Sequence, residues 1–520
     1  MSNTVAFDRP FLETYRGISG VFGEPDGYRA DMSGYIDVQE LRHSSLYGDE
    51  DDRIRVIVGR KGSGKTLYMR RIRDGQPGAL SVSRLVVDAE QTQLPTTRQV
   101  VSVSRLYPEN LLTETWQQLW GKSVLLSVMS NILRNPSFTA SVTDWERNSL
   151  ESDFVQFRQL FGQEERTPFT CLRGFIAQCV DSTDEGSSLR RLNALLDDPQ
   201  WDDLELRLGR ILHGMPPVYL FVDAIDEEFA HAPMEWMRCQ KGLFYELMRF
   251  LRHRQLGEKL HLIISIRDLV LHSVFRSEHS PRYMGDPRIR VLQWDAKAAR
   301  TLLDRKAAGV ERRYWFSGSR PRGFSHWIGI EGIRLGGDTL DVYDYILAYT
   351  QCLPREIVIL GNLIGRSMIE NDGFSPDLLR HAARTVGRLS ALTQLEICAN
   401  QVRDDAGIRF NGQGGYRAEQ EYTDARAQEL LNIIASIGHS PMRPGELERL
   451  RTEGMYRLEA PDIASVLWQN GLLGYLDGGR EIYFSLDSRG RFVVPRALAY
   501  VLHPSLAALI EPGDGLWSAV

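Results

Sequence analysis

The sequence holds no run of about 18 consecutive apolar residues, the length a bilayer-spanning helix needs, so no membrane segment is expected. Cysteine is scarce. There are five, Cys171, Cys179, Cys239, Cys352 and Cys398, and none stands in C-x-x-C spacing. An odd, scattered set argues against a disulfide framework or a zinc site and fits a reducing compartment. The opening MSNTVAFDRPFLETYRG has no basic stretch followed by an apolar run. No secretory leader is therefore expected, and the expected location is cytoplasmic. Excess positive charge is also missing: 62 Lys and Arg against 68 Asp and Glu give a net charge of −6. That excludes a surface coated throughout with basic groups for nucleic acid and leaves a local basic patch open. There is no repeat of fixed period.

What is present is an ordinary globular balance, 42% hydrophobic and 25% charged over 520 residues. A chain of that length makes about three or four domains. Residues 1–45 are weakly patterned and read as an N-terminal arm packed on the domain that follows. Short apolar runs at residues 53–58, 80–88, 218–222, 260–266 and 289–292 read as strands. Val218-Tyr219-Leu220-Phe221-Val222, after Pro216-Pro217, has the unbroken apolar character of a parallel strand buried on both faces. Helical patterns lie between these runs, among them residues 109–133 with Trp116, Leu119, Trp120 and Leu125 at helical spacing. Alternating strands and helices predict an α/β domain with a parallel sheet over residues 46–295, with a helical insertion at about 100–210.

Asp295 reads as the N-cap of a helix over residues 296–307 and opens a mostly helical segment, 296–410. A Gly/Asn-rich linker, 411–415, leads to helices at residues 425–437, 444–451 and 461–470. Two strands, 472–476 and 481–486, flank Asp477-Gly478-Gly479-Arg480, a strong hairpin signal. Three helices followed by a hairpin predict a winged helix-turn-helix over 411–505, with a tail at 506–520.

The chemistry is concentrated in Gly59-Arg60-Lys61-Gly62-Ser63-Gly64-Lys65-Thr66, which fits G-x-x-x-x-G-K-T between a predicted strand and a helix that opens near Leu67. Glycines let successive N–H groups curl into one concavity, and the helix N-terminus behind it favours phosphate. Lys65 is expected to reach the β- and γ-phosphates and Thr66 to place its hydroxyl on Mg²⁺. The expected ligand is ATP or ADP with Mg²⁺; the loop by itself does not choose ATP over GTP, although no N-K-x-D follows the later strands. Asp223 ends a buried strand and is the expected holder of the Mg²⁺ shell. Asp226 or Glu227 in the following acidic loop is the candidate to orient or deprotonate the attacking water; a solvated acidic loop is the competing reading. Residues 262–268, Leu-Ile-Ile-Ser-Ile-Arg-Asp, would bring Ser265 or Arg267 near the γ-phosphate, unless Arg267 is simply ion-paired with Asp268 or another acid.

At these residues the chain resembles the STAND class of P-loop NTPases, which are related to AAA+ proteins and include NACHT- and KAP-like members. Asp223-Ala224-Ile225-Asp226-Glu227 is similar to their D-x-x-D-E motif; ordinary AAA+ enzymes carry D-E directly, where this chain has Ala224. Arg267 matches an Arg these proteins tend to carry after the next strand. Cys352-Leu353-Pro354-Arg355-Glu356 is similar to a lid-helix motif in which a Pro-Arg step aims the Arg at nucleotide, so the resemblance makes Arg355 a candidate. A surface Arg at a helix start is the alternative. The order of P-loop domain, helical lid and winged helix also resembles origin-recognition ATPases. The resemblance is architectural over about residues 46–505 and motif-specific only at these short sites. The gap from Lys65 to Asp223 departs from it, being longer than a minimal core needs. No sensor repeats or effector domain are evident, so a separate effector or sensor protein, or a nucleic acid, is expected to supply input or output.

The third helix of the predicted winged helix offers Asp462, Ser465, Gln469 and Asn470 but no Lys or Arg; Arg443, Arg449, Arg451, Arg457 and Arg480 lie nearby. A role in packing against the rest of the protein is favoured over base reading. The loop at 312–327 mixes Arg with Tyr314, Trp315, Phe316 and Trp327, a composition suited either to single-stranded nucleic acid or to aromatics tucked into the domain, the second being favoured. The expected function is an ATP-dependent switch of the STAND type with slow hydrolysis, set in bacterial defence or signalling and able to form a homo-oligomer. The alternatives are a DNA-binding initiator or loader ATPase and a non-hydrolysing scaffold.

Overall fold

The computed structural model describes residues 14, 20–27, 29–30, 55–75, 85–89, 95–135, 142–161, 167–180, 184–223, 233–253, 256–275, 282–283, 285–315, 318–335, 337–371, 373–410, 415–437, 440–446, 449, 463–484 and 494–510. The chain divides into two compact units. One comprises Ser44–Lys61 and Tyr68–Val291; the other comprises Met1–His43, Gly62–Leu67 and Leu292–Val520.

The first unit is built on five parallel strands, β1 (Val56–Gly59), β2 (Leu85–Ala89), β3 (Val218–Val222), β4 (Leu260–Arg267) and β5 (Ile289–Val291). They lie in the order β2-β3-β4-β1-β5 and every pairing is parallel. All eight residues of β4 are buried, as are all of β1 and all but one of β3. This is why these strands read as continuous apolar runs: a central parallel strand has no solvent face to pattern. The predicted α/β class is thus observed. The connection leaving β1 runs toward the β2 edge, whereas that leaving β4 runs to the β5 edge. The direction of winding therefore reverses at the adjacent pair β1 and β4, the place where open α/β sheets form a crevice beyond their strand C-termini.

Helix α1 (Lys65–Gly75) follows β1. Between β2 and β3 come α2 (Thr97–Leu106), α3 (Glu109–Arg134), α4 (Asp144–Phe161), α5 (Pro168–Cys179), α6 (Glu185–Leu196) and α7 (Gln200–His213), in the place expected for a helical insertion. Their starts are fixed by local chemistry. The Thr96 hydroxyl accepts from the Gln99 N–H, and Asp184 accepts from the Ser187 N–H. After β3, α8 (Pro233–Arg252) packs along α3, with the buried Trp120 indole donating to the Cys239 carbonyl at 2.9 Å. α9 (Asp268–Phe275) follows β4.

In the second unit, Asp295 caps α10 (Ala296–Ala308) by accepting from the Ala298 N–H at 2.7 Å, as the sequence predicts. α11 (Phe324–Ile328), α12 (Val342–Ala348), α13 (Pro354–Glu370) and α14 (Pro376–Arg409) complete the helical segment. An antiparallel hairpin, β6 (Gly332–Leu335) with β7 (Asp338–Asp341), interrupts it. The hairpin was not anticipated, because these strands bury only Ile333 and show no usable alternation.

Then come α15 (Gly415–Ala435), α16 (Ile463–Gln469), β8 (Leu473–Asp477), β9 (Arg480–Tyr483), β10 (Tyr500–Leu502) and α17 (Pro504–Ile510). The predicted hairpin is present as β8 and β9, turned by Gly478 and Gly479 at positive φ. β10 adds a third strand on the other side of β8. The helix expected at 444–451 and the start of that expected at 461–470 lie largely outside the described residues.

α14 does not stop at a domain boundary. Its Leu379, Val386, Leu389 and Leu392 belong to the core of the helical segment, and its Leu395, Cys398 and Val402 to the core beneath β8. Among the described residues no helix is long and apolar enough to cross a membrane.

Candidate nucleotide site

In the sheet unit, the strand ends carry the expected chemistry. Gly59, the last residue of β1, is opposite Arg267, the last of β4. Val222 is opposite Ile264, so Asp223 and Ser265 emerge side by side. The Ser265 hydroxyl donates to Asp223 Oδ1 at 2.6 Å, and both side chains are buried. Arg60, the second residue of the glycine-rich stretch, approaches Asp268 with Nε 3.6 Å from Oδ2. Asp268 Oδ1 accepts from the Leu269 N–H at 3.0 Å. The ion pair considered for Arg267 with Asp268 is thus made by Arg60, while Arg267 is 4% exposed at the strand end. Asp226 and Glu227 lie outside the described residues.

In the second unit, Gly62 and Gly64 have φ of 87° and 89°. An L side chain is strained there, so the glycines are required by the turn. Lys65 and Thr66 open α1, and Lys65 is buried. The turn is clasped from outside. The Gly62 carbonyl accepts from the Arg355 backbone N–H at 3.2 Å, and the Ser63 carbonyl from the Trp294 indole at 3.0 Å. A Cβ on Gly62 would stand 2.8 Å from Arg355 Cβ, so the approach to α13 also needs glycine. Gly27 of the arm lies against Thr66 and Leu67: a Cβ there would be 2.9 Å from Thr66 Cβ and 3.4 Å from the Leu67 nitrogen.

The start of α13 is shaped by its own residues. Pro354 occupies the first turn, and Glu356 accepts from the backbone N–H groups of Gln351 at 2.7 Å and Leu353 at 3.3 Å. Cys352 takes φ 57°, a strained value for a residue with a side chain. Burial, with Glu356 nearby, pushes its thiol up to about 12. The Arg355 guanidinium Nε donates to the Pro25 carbonyl at 3.3 Å.

No known family, curated protein or solved structure matches the chain. The fit to a nucleotide therefore rests on the residues themselves. Ser63 Oγ is buried and has no hydrogen-bond partner among the described residues, in a turn with glycines at positive φ on either side of it. A buried hydroxyl without a partner is costly, and phosphate oxygens are the acceptors such a turn is built for.

Sequence reading missed two parts of this arrangement. Trp294 precedes a helix N-cap and carries no local signal. Nor does the arm, whose described part packs on α13 and lies against Thr66 and Leu67. Phe22 N–H donates to Asn362 Oδ1 at 2.7 Å, Asn362 Nδ2 donates to the Gly23 carbonyl at 2.9 Å, and Lys306 Nζ donates to the Phe22 carbonyl at 3.1 Å. Gly361 and Gly365 leave the groove that Phe22 and Val21 fill.

Several side chains of the two candidate nucleic-acid surfaces bond within the protein. Ser465, Gln469 and Asn470 are buried, and Gln401 of α14 bonds to both Gln469 at 2.5 Å and Asn470 at 2.8 Å. Asp462, Arg451 and Arg457 lie outside the described residues, whereas Arg443, Arg449 and Arg480 are exposed. In the aromatic loop, the Trp315 indole donates to the Val310 carbonyl and the buried Trp327 indole to the Tyr314 carbonyl, each at 3.0 Å. Phe316 lies outside the described residues.

Proposed function

We propose that the protein is a P-loop nucleoside triphosphatase of the STAND type, binding ATP with Mg²⁺ and acting as a slow conformational switch. One observation carries the reading. The glycine-rich turn leaves β1 at the strand pair where winding reverses, and next to that pair Asp223 and Ser265 meet at the ends of β3 and β4. A buried carboxylate steadied by a hydroxyl suits the holding of a hydrated Mg²⁺, and a glycine-rich turn that follows a strand suits phosphate charge.

In this reading Gly59 through Leu67, Arg60 and Lys61 included, form the phosphate-binding segment. Lys65 neutralises phosphate charge, and Thr66 and Asp223 hold Mg²⁺. Mg²⁺ supplies Lewis-acid charge neutralisation at the phosphates. Arg267 and Arg355 are the candidates to stabilise spreading negative charge. Asp226 or Glu227 supplies the base.

The segment from α15 to β10 is read as a winged helix. Burial of Ser465, Gln469 and Asn470 supports a packing role for it over a base-reading one. A homo-oligomer, an ATP-bound open state, a separate sensor or effector protein and a setting in bacterial defence or signalling belong to the same proposal.

The test is direct. The purified protein and Lys65→Ala are compared for co-purified nucleotide, ATP turnover and mass, with and without duplex DNA. Bound ADP, slow turnover and loss of both in Lys65→Ala support the switch. Fast turnover by a monomer, or no nucleotide binding, overturns it; stimulation by DNA transfers the argument to the initiator reading.

A further inference from the structure

We propose that Trp294 is a positioning residue for the phosphate-binding turn, acting together with the backbone amide of Arg355. The inference rests on the nucleotide reading above and adds to it a named device.

In a trans peptide the carbonyl and the following N–H point in opposite directions. Holding one therefore aims the other. The Gly62 carbonyl is held by the Arg355 N–H, so the Ser63 N–H faces away from α13. The Ser63 carbonyl is held by the Trp294 indole N–H, so the Gly64 N–H faces away from Trp294. Two successive amides are thus each oriented by an outside donor, between two glycines at positive φ. Successive backbone amides fixed in this way are the elements from which an anion-binding nest is built.

Both donors are fixed before any ligand arrives. Pro354 has no N–H, so Arg355 carries the first free amide of α13, one of the orphan donors every helix start exposes. The Trp294 ring packs on the core of the helical segment, and the next residue, Asp295, caps α10. A flexible glycine turn would otherwise sample many peptide orientations; two outside donors select one.

Only the indole donor can be removed by simple substitution. Trp294→Phe keeps an aromatic ring on the core and deletes the N–H. The sulfur isostere of tryptophan, with benzothiophene in place of indole, deletes it with the ring volume retained and covers the case in which the phenylalanine variant fails to fold. ADP binding is measured by calorimetry, and the bound ADP by phosphorus NMR at saturation. The expected result is ADP affinity lowered about fivefold, the worth of one neutral hydrogen bond. The β-phosphorus resonance of bound ADP is expected to move, while the melting temperature falls only by the few degrees that one lost hydrogen bond costs. Wild-type affinity in the variant, or weaker affinity with an unmoved β-phosphorus resonance, overturns the proposal, since a ring that only steadies the helical segment would not re-aim the amides. If the wild-type protein binds no ADP, the nucleotide reading itself falls, and this inference with it.

Discussion

Ser265 and Asp223, 42 residues apart in the chain, share a 2.6 Å hydrogen bond because β3 and β4 are parallel neighbours in register. Both side chains are buried, so loss of the hydroxyl is not made good by water. Ser265→Ala is expected to cost about 1–2 kcal/mol, read from urea unfolding midpoints. On the nucleotide reading it also lowers ATP turnover more than ATP affinity.

Gly361 of α13 faces Phe22 so closely that a Cβ would meet the ring at 2.0 Å. Alanine improves helix propensity by about 1 kcal/mol, but overpacking of this kind costs about 1–3 kcal/mol and also expels a buried aromatic. Gly361→Ala is therefore expected to be destabilising overall and to free the arm. Limited proteolysis near residue 22, compared with wild type, checks it.

Arg249 joins two acids of different helices: its guanidinium lies 2.7 Å from Glu246 and 2.7 Å from Glu205. Burial nonetheless pushes the Glu246 carboxyl above its usual range. Arg249→Ala leaves Glu246 buried without its cation. The expected cost at neutral pH is about 2–3 kcal/mol, at the low end for a broken buried pair because Arg249 itself is partly exposed. The sign with pH follows. A raised native carboxyl means that the native state takes up its proton before the unfolded chain does. Acidification therefore relieves the variant, and its deficit narrows as pH falls below neutral. Urea titrations at several pH values measure this.

Four of the five cysteines are buried, and the fifth, Cys352, has its thiol pushed up to about 12 by burial, with a further push from Glu356. At pH 8 about one in ten thousand such groups is thiolate, the reactive form. Native protein is expected to react slowly with a disulfide reagent, and all five thiols to react once it is unfolded in denaturant. A thiol that reacts rapidly in the native state would contradict the described packing.

Local physics decided which features were legible. β3 and β4 could be read because strands buried on both faces tolerate only apolar residues. The β8–β9 turn could be read because Asp477-Gly478-Gly479 has few alternatives. The start of α10 was visible in Asp295. The glycine-rich stretch likewise announced its positive φ values at Gly62 and Gly64. What the sequence hid is non-local. β10 joins β8 across a long excursion, and Phe22 meets Asn362 340 residues away; neither partner carries a mark of the other. The β6–β7 hairpin was invisible because one buried Ile cannot set a period. Trp294 was overlooked for a related reason: its indole acts on Ser63, 231 residues earlier, and nothing beside it in the chain says so.

α14 gives the second unit an unusual mechanical character. At 34 residues it is about 51 Å long, and its side chains serve two cores without a break. A helix so anchored behaves as a single beam, because bending it would open a core at one end or the other. A tilt of α14 at Leu379 therefore has to be taken up in the core beneath β8 as well as in the core around α13.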